Sequence, residues 1–566
     1  VAGLTCAADS SLDLFNAAII LPSNASPRVK AYAALFTDEA AKRCGALWHA
    51  GAGPMQIRLL LPHQNGSEGF TVGNSNKQLL ITAHSERGLL YGLGYLLRNI
   101  EFAPQHAFLP LARAETSSAP AYRLRGHQLG YRPKTNSYDG WDVAQWHQYI
   151  RDLAVFGINA IEILPPQTDD QATSPLFPLP PEQMMVEVSR LADQYGLDVW
   201  MWYPAMGSDY DHPDKVTASL KEWAAVFEKL PRLDAIFTPG GDPGDTAPDT
   251  LLALLKLQKQ NLRRYHPNGQ MWVSPQSFGA QHLIDFLAGA NRADWLDGVV
   301  HGPQCRIALP DLRRKLRKDL PIRLYPDITH SLQCQFPVAN WKREFAFTEG
   351  RECINPRPQS FTAIARQYLP DTIGFLSYSE GCNDDVNKAV WSSAAWNPNF
   401  AVDECLLEYS RYFINAPQAH DFATGVKQLE QTWIDPTTSA GDSLTLFQTL
   451  EKEASPATSQ NWRFQQALYR AYYDAYSYGR LRGYGNVGLR DRVFELAKDL
   501  FQSIRMQLDV KHYKAESVER GANLDTLDSD LFGPPHETKV GQGSFYDDFR
   551  GPTQSSALTG GSPSRT

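Results

Sequence analysis

Between residues 122 and 397, short apolar runs alternate with amphipathic stretches of helical period. Such alternation predicts parallel strand–helix units. Eight runs qualify as strands. The first four begin at Arg123-Leu124-Arg125-Gly126, Ala160-Ile161-Glu162-Ile163-Leu164, Val199-Trp200-Met201-Trp202-Tyr203 and Ala235-Ile236-Phe237-Thr238. The last four begin at Met271-Trp272-Val273-Ser274, Gly298-Val299-Val300-His301, Ile322-Arg323-Leu324-Tyr325 and Gly374-Phe375-Leu376-Ser377. Seven run into polar residues with Gly or Pro, and the last runs into Ser379-Glu380-Gly381. Eight units in this length match a closed (β/α)8 TIM barrel. An open doubly wound sheet, the competing arrangement, calls for a glycine-rich phosphate turn after the first strand, and none is there.

The flanks read differently. Residues 1–117 predict a small α/β domain, with strands at Ala17-Ala18-Ile19-Ile20-Leu21-Pro22, Ile57-Arg58-Leu59-Leu60-Leu61 and Gln78-Leu79-Leu80-Ile81-Thr82-Ala83, then a helix from Ser85. Ser117-Ser118-Ala119-Pro120 reads as the linker to the barrel domain, 122–397. Residues 398–540 predict a mainly helical domain, with helical periodicity over 400–414, 462–478 and 491–508. The stripe Tyr469, Tyr472, Tyr473, Tyr476 fits helix packing. Residues 541–566 are rich in Gly, Ser, Thr and Pro and read as a flexible tail. The fold class is α/β: a TIM barrel with an N-terminal α/β domain and a helical C-terminal domain.

Composition narrows the partners. A net charge of −8 with no basic face counts against nucleic acid. No apolar run approaches the roughly 20 residues of a membrane helix. The seven cysteines include no Cys-x-x-Cys pair; a Cys6–Cys44 disulfide and a fully reduced chain both stay open. Asn24-Ala25-Ser26 and Asn65-Gly66-Ser67 fit the N-glycosylation pattern, and the chain opens on Val1, so a secreted or periplasmic location is the expectation beside a cytoplasmic one. The 13 Trp, 24 Tyr and 26 Phe suit both a large core and stacking on sugar rings.

A barrel of this kind places its chemistry at the C-terminal strand ends. That rule shortens a list of 62 acidic residues. Asp242 follows the fourth strand in Pro239-Gly240-Gly241-Asp242-Pro243-Gly244-Asp245, Asp327 follows the seventh with His330, and Glu380 follows the eighth. Glycosidic cleavage needs one group to protonate the departing oxygen and a second to activate water or attack the anomeric carbon. Asp242 and Glu380 are the expected pair, with Asp327 in reserve. Substrate-binding candidates are His127, Gln128, Tyr131 and Arg132 after the first strand, Glu162, Trp202, Tyr203, Gln276 and His301. Tyr325, His330, Tyr378, Asp384 and Asp385 complete that set. Asp384 and Asp385 also suit a helix N-terminus. Arg132, Lys134 and Arg306 could grip the carboxylate of an acidic sugar. Asp242, Asp245, Asp384 and Asp385 follow no calcium-loop spacing, so neither a metal nor a cofactor is expected.

The run Ser85-Glu86-Arg87-Gly88-Leu89-Leu90-Tyr91-Gly92-Leu93, the strand with Arg125-Gly126, and Phe156-Gly157-Ile158-Asn159 together resemble the β-N-acetylhexosaminidase and α-glucuronidase type of glycoside hydrolase. The order of domains is similar over nearly the whole chain. The resemblance implies an exo-acting glycosidase on a carbohydrate substrate. An α-glucuronidase-like enzyme inverts; a hexosaminidase-like one uses the substrate's acetamido group as nucleophile. Asp242-Pro243-Gly244-Asp245 stands where hexosaminidases carry Asp-Glu and α-glucuronidases a glutamate, so substrate and stereochemistry are not inherited. A non-catalytic carbohydrate-binding protein and a lyase or isomerase on the same barrel are the alternatives. The oligomeric state stays open.

Overall fold

The computed structural model describes residues 11–45, 48–51, 53–62, 65–131, 140–169, 177–207, 209–329, 335–336, 356–379, 381–435, 437–481 and 487–505. Eight parallel strands close into a barrel: Leu124–Gln128, Ala160–Ile163, Asp198–Trp202, Ala235–Thr238, Gln270–Val273, Gly298–His301, Ile322–Leu324 and Gly374–Ser379. Each pairs with the next in sequence, and the eighth returns to the first through Leu124 opposite Gly374 and His127 opposite Ser377. Closure removes the sheet edges that an open sheet would leave unpaired. All eight expected strands are present, with ends that differ from the sequence reading by at most two residues.

Alternation along each strand sorts the side chains into two cores. Trp200, Trp202, Phe237, Trp272, Val300, Tyr325, Leu376 and Tyr378 fill the lumen. Ile161, Ile163, Val199, Met201, Ile236, Met271, Val299 and Phe375 join the larger core around it. The first outer helix, Val143–Val155, begins with a reciprocal cap between Asp142 and Gln145. Pro181, Pro213, Pro248 and Pro358 open four other helices, where a missing N–H goes unneeded.

A three-stranded and a six-stranded sheet precede the barrel. The larger has the order His49–Ala50, Ala18–Ile20, Gln56–Leu60, Gln78–Ala83, Phe70–Ser75, Thr116–Ser118. Ser117 and Ser118, expected in a linker, instead extend this sheet by antiparallel pairing with Thr71 and Phe70. The helix expected from Ser85 spans Glu86–Asn99, with the Ser85 side chain accepting from the Gly88 N–H. Helix Pro27–Cys44 went unread in the sequence, its apolar positions interrupted by Lys30, Asp38 and Glu39. Beyond the barrel the chain is helical, with Val402–Phe413, Ala419–Ile434, Ala440–Glu453, Trp462–Leu481 and Val487–Arg505 as its main helices. Tyr469, Tyr472, Tyr473 and Tyr476 are buried there, as helix packing requires. Among the described residues no helix is long and apolar enough to cross a membrane.

Candidate active site

The C-terminal end of the lumen has a polar floor inside an aromatic wall. Gln128, at the end of the first strand, donates from Nε2 to Glu162 Oε1 and to the Tyr325 hydroxyl, each at 3.0 Å. Glu162 takes its second bond from Arg323 Nη1 at 2.5 Å, and neither side chain of that pair is exposed. The guanidinium lies 4.8 Å from the Trp200 ring centroid, 4.7 Å from Phe237 and 5.3 Å from Tyr325. Burying a charge is tolerable only with a partner of this kind, and the ring faces add attraction. Glu162, expected to meet substrate directly, is therefore held beneath the mouth. Arg323 was missed in the sequence, yet an arginine between Ile322 and Leu324 at an inward register position was the available signal.

Above this floor stand Trp202, Tyr325 and Tyr378, with the Tyr325 and Tyr378 rings 6.1 Å apart. A short strand, Asp327–Thr329, follows the seventh and pairs in parallel with the eighth, setting Asp327 opposite Tyr378. Paired residues share a sheet face. Asp327 is buried, and its backbone N–H donates to Gln335 Oε1. Asp242 lies half-buried in the loop after the fourth strand. Gln276 in the next loop takes the Gly241 N–H on its carbonyl at 2.8 Å and donates from Nε2 to the Asp242 carbonyl at 2.9 Å. Gln276 thus holds the Asp242 backbone. A Cβ on Gly240 would stand 2.5 Å from the Ser274 carbonyl oxygen, so this loop needs glycine to approach its neighbour.

Several other candidates sit elsewhere. His127 faces outward, fully buried, with Nδ1 2.7 Å from Ser377 Oγ and Nε2 3.1 Å from Ser392 Oγ. Burial, and then the charge of Lys388, hold its pKa well below the ordinary histidine value. Tyr203 packs its ring 3.9 Å from Trp223 on the outer helix Pro213–Phe227. His301 is tied by Nε2 to the Ile307 carbonyl at 2.9 Å, and burial lowers its pKa. Tyr131 donates to the Leu179 carbonyl and stacks on Phe177.

Asp384 accepts from Ser379 Oγ behind the eighth strand. Asp385 accepts from Tyr409 and Arg463 of the C-terminal helices. Both acids belong to the start of helix Asp385–Trp396 rather than to the lumen. The reason is register: they lie past the strand, where the chain has turned outward. Arg306 is exposed. Glu380, Arg132, Lys134, His330 and Cys6 lie outside the described residues. Cys44 is buried in its helix, its thiol donating to the Ala40 carbonyl. Among the described residues no group of three or more His, Cys, Asp or Glu side chains is arranged to hold a metal.

No protein-family model matches the chain, and no curated protein matches it in sequence. Solved structures do match it in fold. One is a GH138 enzyme targeting pectin rhamnogalacturonan II, 12% identical with a TM-score of 0.56, the match covering 91% of this chain and 93% of that one. Another is the GH20 chitobiase of Flavobacterium johnsoniae, 12% identical with a TM-score of 0.52, over 91% of this chain and 87% of that one. A third is the GH20 β-N-acetylhexosaminidase of Streptomyces coelicolor A3(2), 14% identical with a TM-score of 0.52, over 74% and 93%. Identities this low carry the fold and not an activity. By its closed parallel barrel and the sheets before it, the chain has the fold of the hexosaminidase-type glycoside hydrolases.

Proposed function

We propose that this protein is an exo-acting glycoside hydrolase working at the C-terminal mouth of its barrel. The observation that carries the reading is the make-up of that mouth. Asp327 lies beside Tyr378, Tyr325 and Trp202 complete an aromatic surface, and Asp242 is held on the loop after the fourth strand. Flat apolar ring faces and carboxylates are what a pyranose and its glycosidic oxygen require. The GH20 and GH138 neighbours, glycosidases by their names, support the same class.

Asp242 and Glu380 are the proposed acid/base pair. The strands they follow, the fourth and the eighth, are opposite in the closed ring. Opposed carboxylates leave room for a water between acid and base, which suits inversion. One carboxylic acid protonates the leaving oxygen while the other carboxylate takes a proton from water attacking the anomeric carbon. Asp327 is the reserve for either role.

The test is a panel of 4-nitrophenyl glycosides covering neutral, N-acetylated and uronic sugars. At least one is hydrolysed by the unmodified protein, and Asp242→Asn and Glu380→Gln each lower its kcat at least about a hundredfold with folding intact. Turnover of uronides alone would point to an α-glucuronidase-like substrate, and of N-acetylated sugars alone to a hexosaminidase-like one. Binding of sugars without hydrolysis of any would replace the reading with a carbohydrate-binding protein. Near-normal turnover in Glu380→Gln with none in Asp327→Asn would move the second carboxylate to the seventh strand.

A further inference from the structure

We infer that Arg323, Glu162 and Gln128 form a relay that fixes the direction of the Tyr325 hydroxyl proton, making Tyr325 a hydrogen-bond donor toward the mouth. The inference rests on the glycosidase reading only for the kind of ligand that would receive that donor. Its starting point is Arg323, a permanent cation with five N–H donors and no acceptor. It is fully buried, and Nη1 meets Glu162 Oε2. Among the described residues its Nε and Nη2 have no hydrogen-bond partner, and they lie among the Trp200, Phe237 and Tyr325 rings. Among the described residues Glu162 is the one anion that answers this cation, and it is committed to accepting.

An ion-paired carboxylate only accepts, so the group of Gln128 that faces Glu162 Oε1 must be its NH2. The orientation of a glutamine amide is ordinarily ambiguous, and here the ion pair resolves it. The same NH2 has one further hydrogen, and it points at the Tyr325 oxygen 3.0 Å away. Tyr325 accepts on that side. Its own proton is thereby turned away from Gln128. A ligand atom meeting this phenol is an acceptor, a sugar hydroxyl or carbonyl oxygen. Gln128, Glu162 and Arg323 are positioning residues: none needs to touch the ligand, and each acts through the next.

Two measurements test the relay. The first is a double-mutant cycle on the hydrolysed 4-nitrophenyl glycoside, using Gln128→Leu and Tyr325→Phe, which keep volume and leave the ion pair in place. The expected result is that each lowers kcat/KM by about tenfold, and that the double variant is no worse than the poorer single within about twofold. Losses that multiply, or a Gln128→Leu enzyme with unchanged kcat/KM, overturn the relay. They leave the glycosidase reading standing. The second measurement is neutron diffraction on the unmodified, deuterated protein. The deuterium on the Tyr325 oxygen is expected to point away from Gln128, with both amide deuteriums of Gln128 on the Glu162 and Tyr325 side. A phenol deuterium pointing at Gln128 overturns the relay whether or not any glycoside is turned over. Absence of turnover across the panel counts against the glycosidase alone.

Discussion

At the scale of the residue, this chain buries several charged and titratable side chains. His127 illustrates the consequence. It is a base kept neutral in the fold by burial and by the nearby Lys388 ammonium, so its folded pKa lies well below the ordinary 6.5. His301 is lowered too, by burial, with its bond to the Ile307 carbonyl working the other way. Below pH 6.5 the unfolded chain binds protons at both positions while the folded chain does not. By linkage, the stability these groups contribute is present above 6.5 and is lost as pH falls toward the folded values, at up to about 1.4 kcal/mol per pH unit for each proton. Denaturant midpoints measured from pH 7.5 down to 5 should fall, and His127→Gln should flatten part of that fall. An unchanged slope in the variant would show that His127 titrates normally. In sequence, His127 looked like a sugar ligand because it ends an apolar strand. Which face of the strand it occupies depends on register, and a register off by one residue exchanges lumen for helix layer. Gln128, one step on and also expected as a sugar ligand, bonds Glu162 and Tyr325 instead, and Arg323 joins them from the seventh strand, two places away in the ring.

At the scale of the element, the strands were legible because a barrel strand buried on both faces is a continuous apolar run between breakers. Gly126 shows how closely they fit. A Cβ there would sit 2.1 Å from the Ala160 carbonyl oxygen and 2.4 Å from Leu376 Cδ2, so the strand that closes the ring has no space for a methyl group. Gly126→Ala is expected to cost upward of about 3 kcal/mol, read as a lower urea midpoint or as insoluble expression. A variant as stable as the parent would mean that the first strand can move away from the second and the eighth without penalty. Edges, caps and short strands were harder to read. Ser117 and Ser118 looked like part of a linker because Ala119 and Pro120 follow them, and their strand character comes from the partner strand at Phe70 and Thr71. Glu430, far off in sequence, caps helix Pro358–Tyr368 by accepting from the Gln359 and Ser360 N–H groups at 2.8 Å each. No local pattern announces a cap delivered from 70 residues away.

At the scale of the whole molecule, a train of buried charges crosses from one end of the chain to the other. Glu39 of helix Pro27–Cys44 meets Arg43 and Arg151. Burial alone would raise its pKa, but Arg43, Lys42 and Arg151 outweigh that and hold it at about 2. Gln148 bridges Glu39 to Asp152, whose pKa burial raises. Arg463 then bonds both Asp152, at 2.9 Å, and Asp385, at 2.6 Å, with its guanidinium 3.6 Å from the Phe413 ring centroid. Arg463 thus joins the first outer helix of the barrel to the last, from a helix that lies beyond both. Removing it leaves two buried carboxylates without their cation, a loss of about 3–5 kcal/mol. Arg463→Met should lower the unfolding midpoint accordingly, and an unaltered midpoint would mean that the neighbouring groups already satisfy the two acids.

The same arginine sets what can be cut and moved. Residues 122–397 trace a closed ring, the shape a protein engineer would lift out to graft onto a binding module or shorten for crystallisation. Detached from the helices that follow, that ring would carry Asp152 and Asp385 into its surface as naked charges and expose the Phe156 ring that now stacks on Phe413. The unit of transplantation is therefore not the barrel. Any chimera built from this chain has to carry the helix with Arg463 along with it.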